Sequence, residues 1–507
     1  MSDPVESEGW SDDMTGSGNK NPSDQKRTVP GYGLTMRLEI KNFPGELSRV
    51  TQVIAEAGGN LGSIEIIELH PDYIVREISI NTGDAEQANK IVETISSLEN
   101  IKVIQRWEST YKTHRGGIIQ IENKLNIKTL EEMSQAYTST VANISQTITE
   151  DPANVWPLTI KQNTVAVVSD GSAVLGMGNL GSKAAIPVME GKAMLFKRFG
   201  GVDAFPICIE TQDPEEIINI VENISPVFGG INLEDISSPR CFHIEEELQA
   251  RLDIPVFHSD QHATAVVVLA AIINTLKIIK KEPRYLKVMV CGVGAAGIAC
   301  TRLMMTFGIE NIVGCDREGI VFQGRKKNMN PAKEWFAANT NRERLKGDIR
   351  TAMEGADLFL GLSGPGVIDA HDIMVMAEDP VVFALANPDP EVNPREAKKH
   401  CRVLATGRSD HPNQINNVLC FPGLFRGALD CYASCINDEM KLAAASAIAD
   451  SIQKEALRED NIIPNVFDKH VFLNVAKAVI ETAHKTGVSR RKGAGMSGAG
   501  QEDPTST

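Results

Sequence analysis

The residues with the clearest chemical potential are three carboxylates and a lysine. In "GGINLEDI" the apolar Ile231 and Leu233 lead straight into adjacent acids, Glu234 and Asp235. In "IPVFHSDQHATAVVVLAA" a second apolar run ends at His258, Ser259, Asp260 and His262. Acids at the ends of two buried strands can converge. Glu234, Asp235 and Asp260 would then form an oxygen-only site, which suits Mg²⁺ or Mn²⁺ rather than Zn²⁺. The competing reading is that Asp260 caps the apolar helix that follows it. Lys192 sits among Met189, Ala193, Met194 and Leu195. An ammonium in apolar surroundings is pushed toward the neutral amine, the form a general base needs. The alternative is a surface lysine with its stem laid along apolar neighbours. Upstream, "VLGMGNLG" carries Gly176, Gly178 and Gly181, which let backbone approach a ligand closely.

A second chemistry lies in "YLKVMVCGVGAAGIACTRLMMTFGIENIVGCDREG". The pattern predicts a buried strand, then Gly292, Gly294 and Gly297 as GxGxxG with Val293, Ala295 and Ala296 between them. A helix and a second strand ending in Asp316 follow. Asp316 falls about 20 positions beyond the last glycine, where an acid meets the ribose hydroxyls of NAD. Its charge opposes the 2′-phosphate of NADP, although Arg317 beside it offers a counter-charge, so NADP stays open. "ADLFLGLSGPG", "PVVFALANPDPE" and "CRVLATGRSD" read as further strands whose C-terminal loops line the crevice of a doubly wound sheet.

The elements ahead of these sites begin at Leu34. Strand alternation in "LTMRLEI", a turn at Pro44-Gly45, and Leu47, Val50, Val53, Ile54 and Ala57 at helical spacing open a βαββαβ pattern. That order is ferredoxin-like. With "NFPGEL" and "GGNL" in place, residues 32–108 resemble an ACT domain. The resemblance implies an effector, an amino acid or similar metabolite, held near Asn42, Gly45 and Asn60 between paired modules. The alternatives are that Pro44 and Gly45 only make the turn, or that the modules only pair.

From about Tyr111 to Val488 the chain resembles a malic enzyme of the bacterial kind. The carriers are "AYTSTVA", "GMGNLG", "PVMEGKAMLFKRF", "GGINLEDI", "FHSDQHATA", "GVGAAGIA", "LSGPG", "ALANPDPE", "GRSDHPNQINNVLCFPGLFRGALD" and "INDEMKLAAA". The resemblance implies oxidative decarboxylation of malate to pyruvate and CO₂ with NAD or NADP and Mg²⁺ or Mn²⁺. It implies Glu234, Asp235 and Asp260 as metal ligands, Lys192 as general base and Tyr137 as general acid. Asn387 and Asn417 would hold substrate, and Asn387 the nicotinamide as well. The chain departs from the family's pattern at Ser139 and Thr140, where Pro and Gly are usual. It departs again at Ser259, where an acid thought to assist the lysine is usual, and at Ala263, where Gly is usual. These departures leave open slowed chemistry, another 2-hydroxy acid as substrate, or an inactive paralogue acting as a regulatory subunit.

The expected fold class is α/β: a doubly wound Rossmann-type domain at 266–488, an α/β substrate and metal domain at 109–265, and the ACT module before them. Polar tails are expected at 1–31 and 489–507. At 507 residues there is room for several cores, and 42% hydrophobic with 23% charged residues is ordinary for a globular protein. A net charge of −15 argues against nucleic acid and anionic membrane as partners. No apolar run is expected to reach the roughly 18 residues that span a bilayer, and the N-terminus lacks a secretory h-region. Nine scattered cysteines without a CxxC pair fit a reducing cytoplasm. Cys431 and Cys435 are expected on one helical face. A homodimer or higher homo-oligomer is expected.

Overall fold

The computed structural model describes residues 32–138 and 140–491. The two expected tails lie outside these residues, except for Ser489 to Arg491, and so does Ser139. The chain divides into two compact units, residues 1–116 and 117–507.

The first unit is one antiparallel sheet of β1 (Tyr32–Lys41), β2 (Asn60–Leu69), β3 (Tyr73–Thr82) and β4 (Ile101–Glu108), in the order β2-β3-β1-β4. Alternate residues of β1, namely Leu34, Met36, Leu38 and Ile40, face the core. They pack with Val50 and Ile54 of the helix Glu46–Glu56, and with Ile91 and Ile95 of the helix Ala85–Ser96. Asp84 caps the second helix by accepting from the Gln87 amide. The first helix starts at Gly45 in left-handed backbone (φ 95°), with no side-chain cap. This is the βαββαβ order that the hydrophobic periodicity predicts.

The second unit holds two sheets, parallel except for one short edge strand. The smaller has the order β6-β5-β7-β8, from β5 (Thr164–Ser169), β6 (Asp203–Cys208), β7 (Gly230–Leu233) and β8 (Val256–His258). β5, β7 and β8 are buried along their whole length, which is why they read as continuous apolar runs rather than alternating ones. The larger sheet has the order β11-β10-β9-β12-β13-β14. Its strands are β9 (Lys287–Cys291), β10 (Asn311–Asp316), β11 (Gly319–Ile320), β12 (Leu358–Gly361), β13 (Val381–Ala384) and β14 (Val403–Thr406). This is the 3-2-1-4-5-6 order of a dinucleotide-binding sheet. The short β11, antiparallel to β10, takes the third place.

Three details differ from expectation. The stretch Ser259–Ile279 is long and apolar enough by length and composition to cross a membrane. It arises because a π-turn, Ser259–Ala263, runs directly into the helix Thr264–Ile279. The stretch is two-thirds buried inside the protein, the place of a core helix. Cys431 and Cys435 do not share a helix: Phe421–Asp430 ends at Cys431, and Tyr432 has left-handed backbone. Finally, the packed chain continues past 488. Ser489 bridges to Ala433, and the Arg490 guanidinium donates to the Tyr432 carbonyl and to Asp253.

Candidate active site

β7 and β8 are parallel neighbours, with Leu233 opposite His258. Both therefore end at the same level, and the residues that leave them meet. Glu234, Asp235 and Asp260 each place a carboxylate oxygen within 4.8 Å of the other two. Asp260 is no helix cap. Its Oδ2 accepts from the Asp235 amide at 2.8 Å, and the helix Thr264–Ile279 begins without a side-chain cap. Asp235 is in left-handed backbone (φ 55°), a conformation that Asp tolerates better than most residues. Its carbonyl accepts from the Ala173 amide at 2.9 Å, which ties the glycine-rich loop to the site.

The electrostatics call for a cation. Burial raises the Glu234 and Asp260 carboxyls above their ordinary range. Burial, with the charges of Asp260 and Glu234 adding to it, pushes Asp235 up to about 8. Asp235 Oδ2 is buried without a hydrogen-bond partner. A buried carboxylate oxygen left open among like charges fits an oxygen-seeking divalent ion.

Lys192 comes from the helix Ser182–Gly200. It is only 7% exposed, so it is not a surface lysine. Its Nζ donates to Glu234 Oε1 at 2.9 Å and lies 4.0 Å from the centre of the Phe421 ring. Lys192 and the acid triad are thus brought together. Ser259, expected beside the lysine, instead donates from Oγ to Asn232 Oδ1 at 2.6 Å. Asn232 Nδ2 then donates to Glu234 Oε2 at 2.9 Å. Asn232 is absent from the expected set because it sits inside the apolar run of β7. Ala263 is in ordinary right-handed helical backbone (φ −68°, ψ −37°), so a glycine is not required there.

His258 and His262 are not part of the triad. Burial pushes both imidazoles toward the neutral form. His258 is fully buried, with Nδ1 at 3.8 Å from Asp260 Oδ2. His262 meets Glu245 at 3.0 Å, and Glu245 also accepts from the His258 amide and from Gln261. This buried acid backs the loop that carries Asp260.

Tyr137 stands apart. It ends the helix Leu130–Tyr137 and is 81% exposed. Neither that helix nor the next, Val141–Glu150, contains a buried residue. Among the described residues no hydrogen bond joins Tyr137 to Lys192 or the triad. Thr140 donates to the Ser134 carbonyl at 2.6 Å.

At the larger sheet, β9 runs into Gly292 (φ 106°), where a side chain would strike the Leu362 carbonyl oxygen at 2.4 Å. A Cβ at Gly297 would lie 2.0 Å from the Gly292 carbonyl oxygen, whereas at Gly294 the space is open. The helix Ala295–Phe307 starts at Gly294 without a side-chain cap, which leaves amides free for a pyrophosphate. Val293 and Ala296 lie within this turn and helix start.

Asp316 ends β10 but is already occupied. It accepts from Arg325 Nη1 and Nη2 at 2.8 and 2.6 Å, from Lys333 Nζ at 2.6 Å and from Asn328 at 3.2 Å. Burial alone would raise its carboxyl; Arg325 and Lys333 hold it at about 2. The sequence signal for these partners was the basic run "GRKKNMNPAK". Asn387 follows β13, at the C-terminal end of the sheet, with its side chain exposed. Asn417 opens the turn Asn417–Leu419, which packs on the Ser259–Ala263 turn beside Asp260. In the first unit, Asn42 Nδ2 donates to the Pro71 carbonyl, Asn60 is exposed at the start of β2, and Glu46 follows the uncapped Gly45.

The comparisons agree with this geometry. Residues 117–249 match the malic enzyme N-terminal domain, 262–484 the malic enzyme NAD binding domain, and 35–100 the ACT domain. The chain is 50% identical over 466 residues to an NAD-dependent malic enzyme of Geobacillus stearothermophilus, a match covering 91% of this chain and 97% of the relative. It is 48% identical to a bifunctional malic/malolactic enzyme of Bacillus subtilis, over 74% of this chain and 92% of that one. The crystal structure of malic enzyme from Pyrococcus horikoshii superposes with a TM-score of 0.72 at 48% identity, covering 74% of this chain and 89% of the other. A buried acid triad against a lysine, beside a dinucleotide-binding sheet, is thus set in a chain that belongs to the malic enzyme family.

Proposed function

We propose that the protein oxidatively decarboxylates malate to pyruvate and CO₂, with NAD as oxidant and Mg²⁺ or Mn²⁺ held by Glu234, Asp235 and Asp260. The observation that carries this is the buried triad with Lys192 on its edge. When bound, the cation supplies charge stabilisation at the substrate's oxygens and NAD supplies the oxidising power. Lys192 is placed to take the C2 hydroxyl proton, since it already lies in a hydrogen bond at the rim of the triad. Tyr137 returns a proton to C3. Asn387 and Asn417 orient the substrate from the facing loops.

Tyr137 needs a partner to do so. The segment around it exposes Ile121, Leu125, Leu130 and Tyr137, all by more than 60%. Exposed apolar side chains of this number, two of them on a helix with no buried residue, call for a covering surface. A second copy of the chain would provide it and bring Tyr137 to a site. Asp316 keeps NAD as the preferred cofactor, yet its pairing with Arg325 and Lys333 leaves NADP usable. At the ACT module, the open amides after Gly45 suit the carboxylate of a small effector, while the Glu46 carboxylate is engaged by Arg49 and Asn100. Nine free cysteines, seven of them buried, fit a reducing cytoplasm.

The test is NADH formation from malate with Mn²⁺ and with chelator, alongside other 2-hydroxy acids. Metal-dependent turnover of malate is expected. No turnover of malate in the full chain would favour a regulatory subunit, and turnover of another acid alone would change the substrate.

A further inference from the structure

We propose that Ser259 and Asn232 form a positioning pair for the metal site, setting the direction in which Glu234 presents its carboxylate. This rests on the reading of Glu234, Asp235 and Asp260 as metal ligands. Both residues are fully buried, so neither bond has a water competitor at the surface. The order of donors along the chain is forced by chemistry. An ionised Glu234 only accepts, and so it must face the NH₂ end of the Asn232 amide, at 2.9 Å. That leaves the amide oxygen toward residue 259, and the group there must donate. The Ser259 hydroxyl does so at 2.6 Å. A carboxylate at 259 has no proton to give, so the amide would have to turn its oxygen toward one acid or the other. Serine is therefore matched to Asn232 rather than being a weakened acid beside Lys192.

The consequence lies at Glu234. Its Oε2 is fixed by Asn232 and its Oε1 by Lys192 at 2.9 Å. The carboxylate plane is thereby set, and each oxygen keeps a lone pair for a cation. With Ser259 removed, the amide is free to rotate and Glu234 loses its support on one side. Ligands held by such outer partners typically lose ~10–100-fold in metal affinity when the partner is deleted.

The experiment is titration of the full-length protein with Mn²⁺ alone, followed by loss of the free-ion EPR signal. NAD binding and thermal unfolding report on folding. Ser259→Ala is expected to weaken Mn²⁺ binding by about tenfold or more and to raise the Mn²⁺ KM in proportion. It should act mainly on that KM rather than on kcat at saturating metal. Ser259→Thr, which keeps the donor, should restore affinity. Asn232→Ala should lose as much affinity, and the double variant no more than Asn232→Ala alone. Wild-type Mn²⁺ affinity in a folded Ser259→Ala protein would overturn the proposal, and so would failure of Ser259→Thr to restore it. Asp260→Asn is the separate control. If it keeps wild-type Mn²⁺ affinity, the metal-site reading itself fails, whatever Ser259 does.

Discussion

Metal binding should be coupled to proton release, because a cation needs Asp235 ionised and the site holds it protonated. Burial and the neighbouring Asp260 and Glu234 put the Asp235 carboxyl at about 8 in the metal-free protein. Only about one molecule in 11 then has it ionised at pH 7, and about one in 100 at pH 6. The apparent Mn²⁺ affinity should fall about ninefold from pH 7 to pH 6, or about 1.3 kcal/mol. It should level off above about pH 9. Calorimetric titration in two buffers of different protonation enthalpy counts the protons released. At least one is expected at pH 6, with fewer above pH 9. The same carboxyl carries a stability signature. A raised folded-state pKa favours folding fully below the unfolded value, ~3.9, and this contribution is lost as pH rises through about 8. The melting temperature of metal-free protein should therefore drop between pH 6 and 9, and Mn²⁺ should reverse the drop. An Mn²⁺ affinity equal at pH 6 and 8, with no proton released, would refute the reasoning.

Tyr137→Phe and Lys192→Met should each lower kcat by ~10²–10⁴-fold while NAD binding stays. If Tyr137 serves a partner's site, refolding the two variants together should recover about a quarter of wild-type activity, from the one intact site of each mixed dimer. No recovery would place the tyrosine within its own protomer. Lys333→Ala should leave kcat/KM with NAD near wild type and cut that with NADP by about tenfold, a loss of ~1.4 kcal/mol; equal effects on both cofactors would remove Lys333 from the 2′-phosphate. Gly297→Ala should destabilise the fold by ~1–3 kcal/mol and abolish NAD binding, because its Cβ would lie 2.0 Å from the Gly292 oxygen. Gly294→Ala, with open space around it, should be far milder in thermal unfolding.

The strands that carry the site were legible because they are buried on both faces and read as unbroken apolar runs, as β7 and β8 do. The acids at their ends stood out for the same reason. Their convergence was one of two readings, the other being a helix cap at Asp260; the choice depends on β7 and β8 being spatial neighbours, which the strand patterns do not tell. Asn232 was hidden because a polar residue inside a four-residue apolar strand carries no periodic signal. Asp316 was found by its distance from the glycines, but its bonds to Arg325 and Lys333 come from a loop whose path no pattern predicts. The exposure of Tyr137 was equally invisible, since a helix's burial depends on what surrounds it. The helix expected across Cys431 and Cys435 failed on a local detail: Tyr432 takes left-handed backbone (φ 51°), which ends the helix.

The pairing of Leu233 with His258 also determines which changes in chain length the protein can survive. Glu234 and Asp260 are delivered by two short strands that stop together, and the helix Arg240–Arg251 lies between them in the chain. A residue inserted beside the exposed Asp253, in the short connection before β8, leaves both strands intact. A residue inserted or deleted within β7 shifts Glu234 by about 3.3 Å along the strand and sends its side chain to the opposite face. Insertions and deletions should therefore accumulate between the two strands over evolution and be purged from within them. A library of single-residue deletions across residues 228–262, scored for Mn²⁺ binding, would trace that boundary residue by residue.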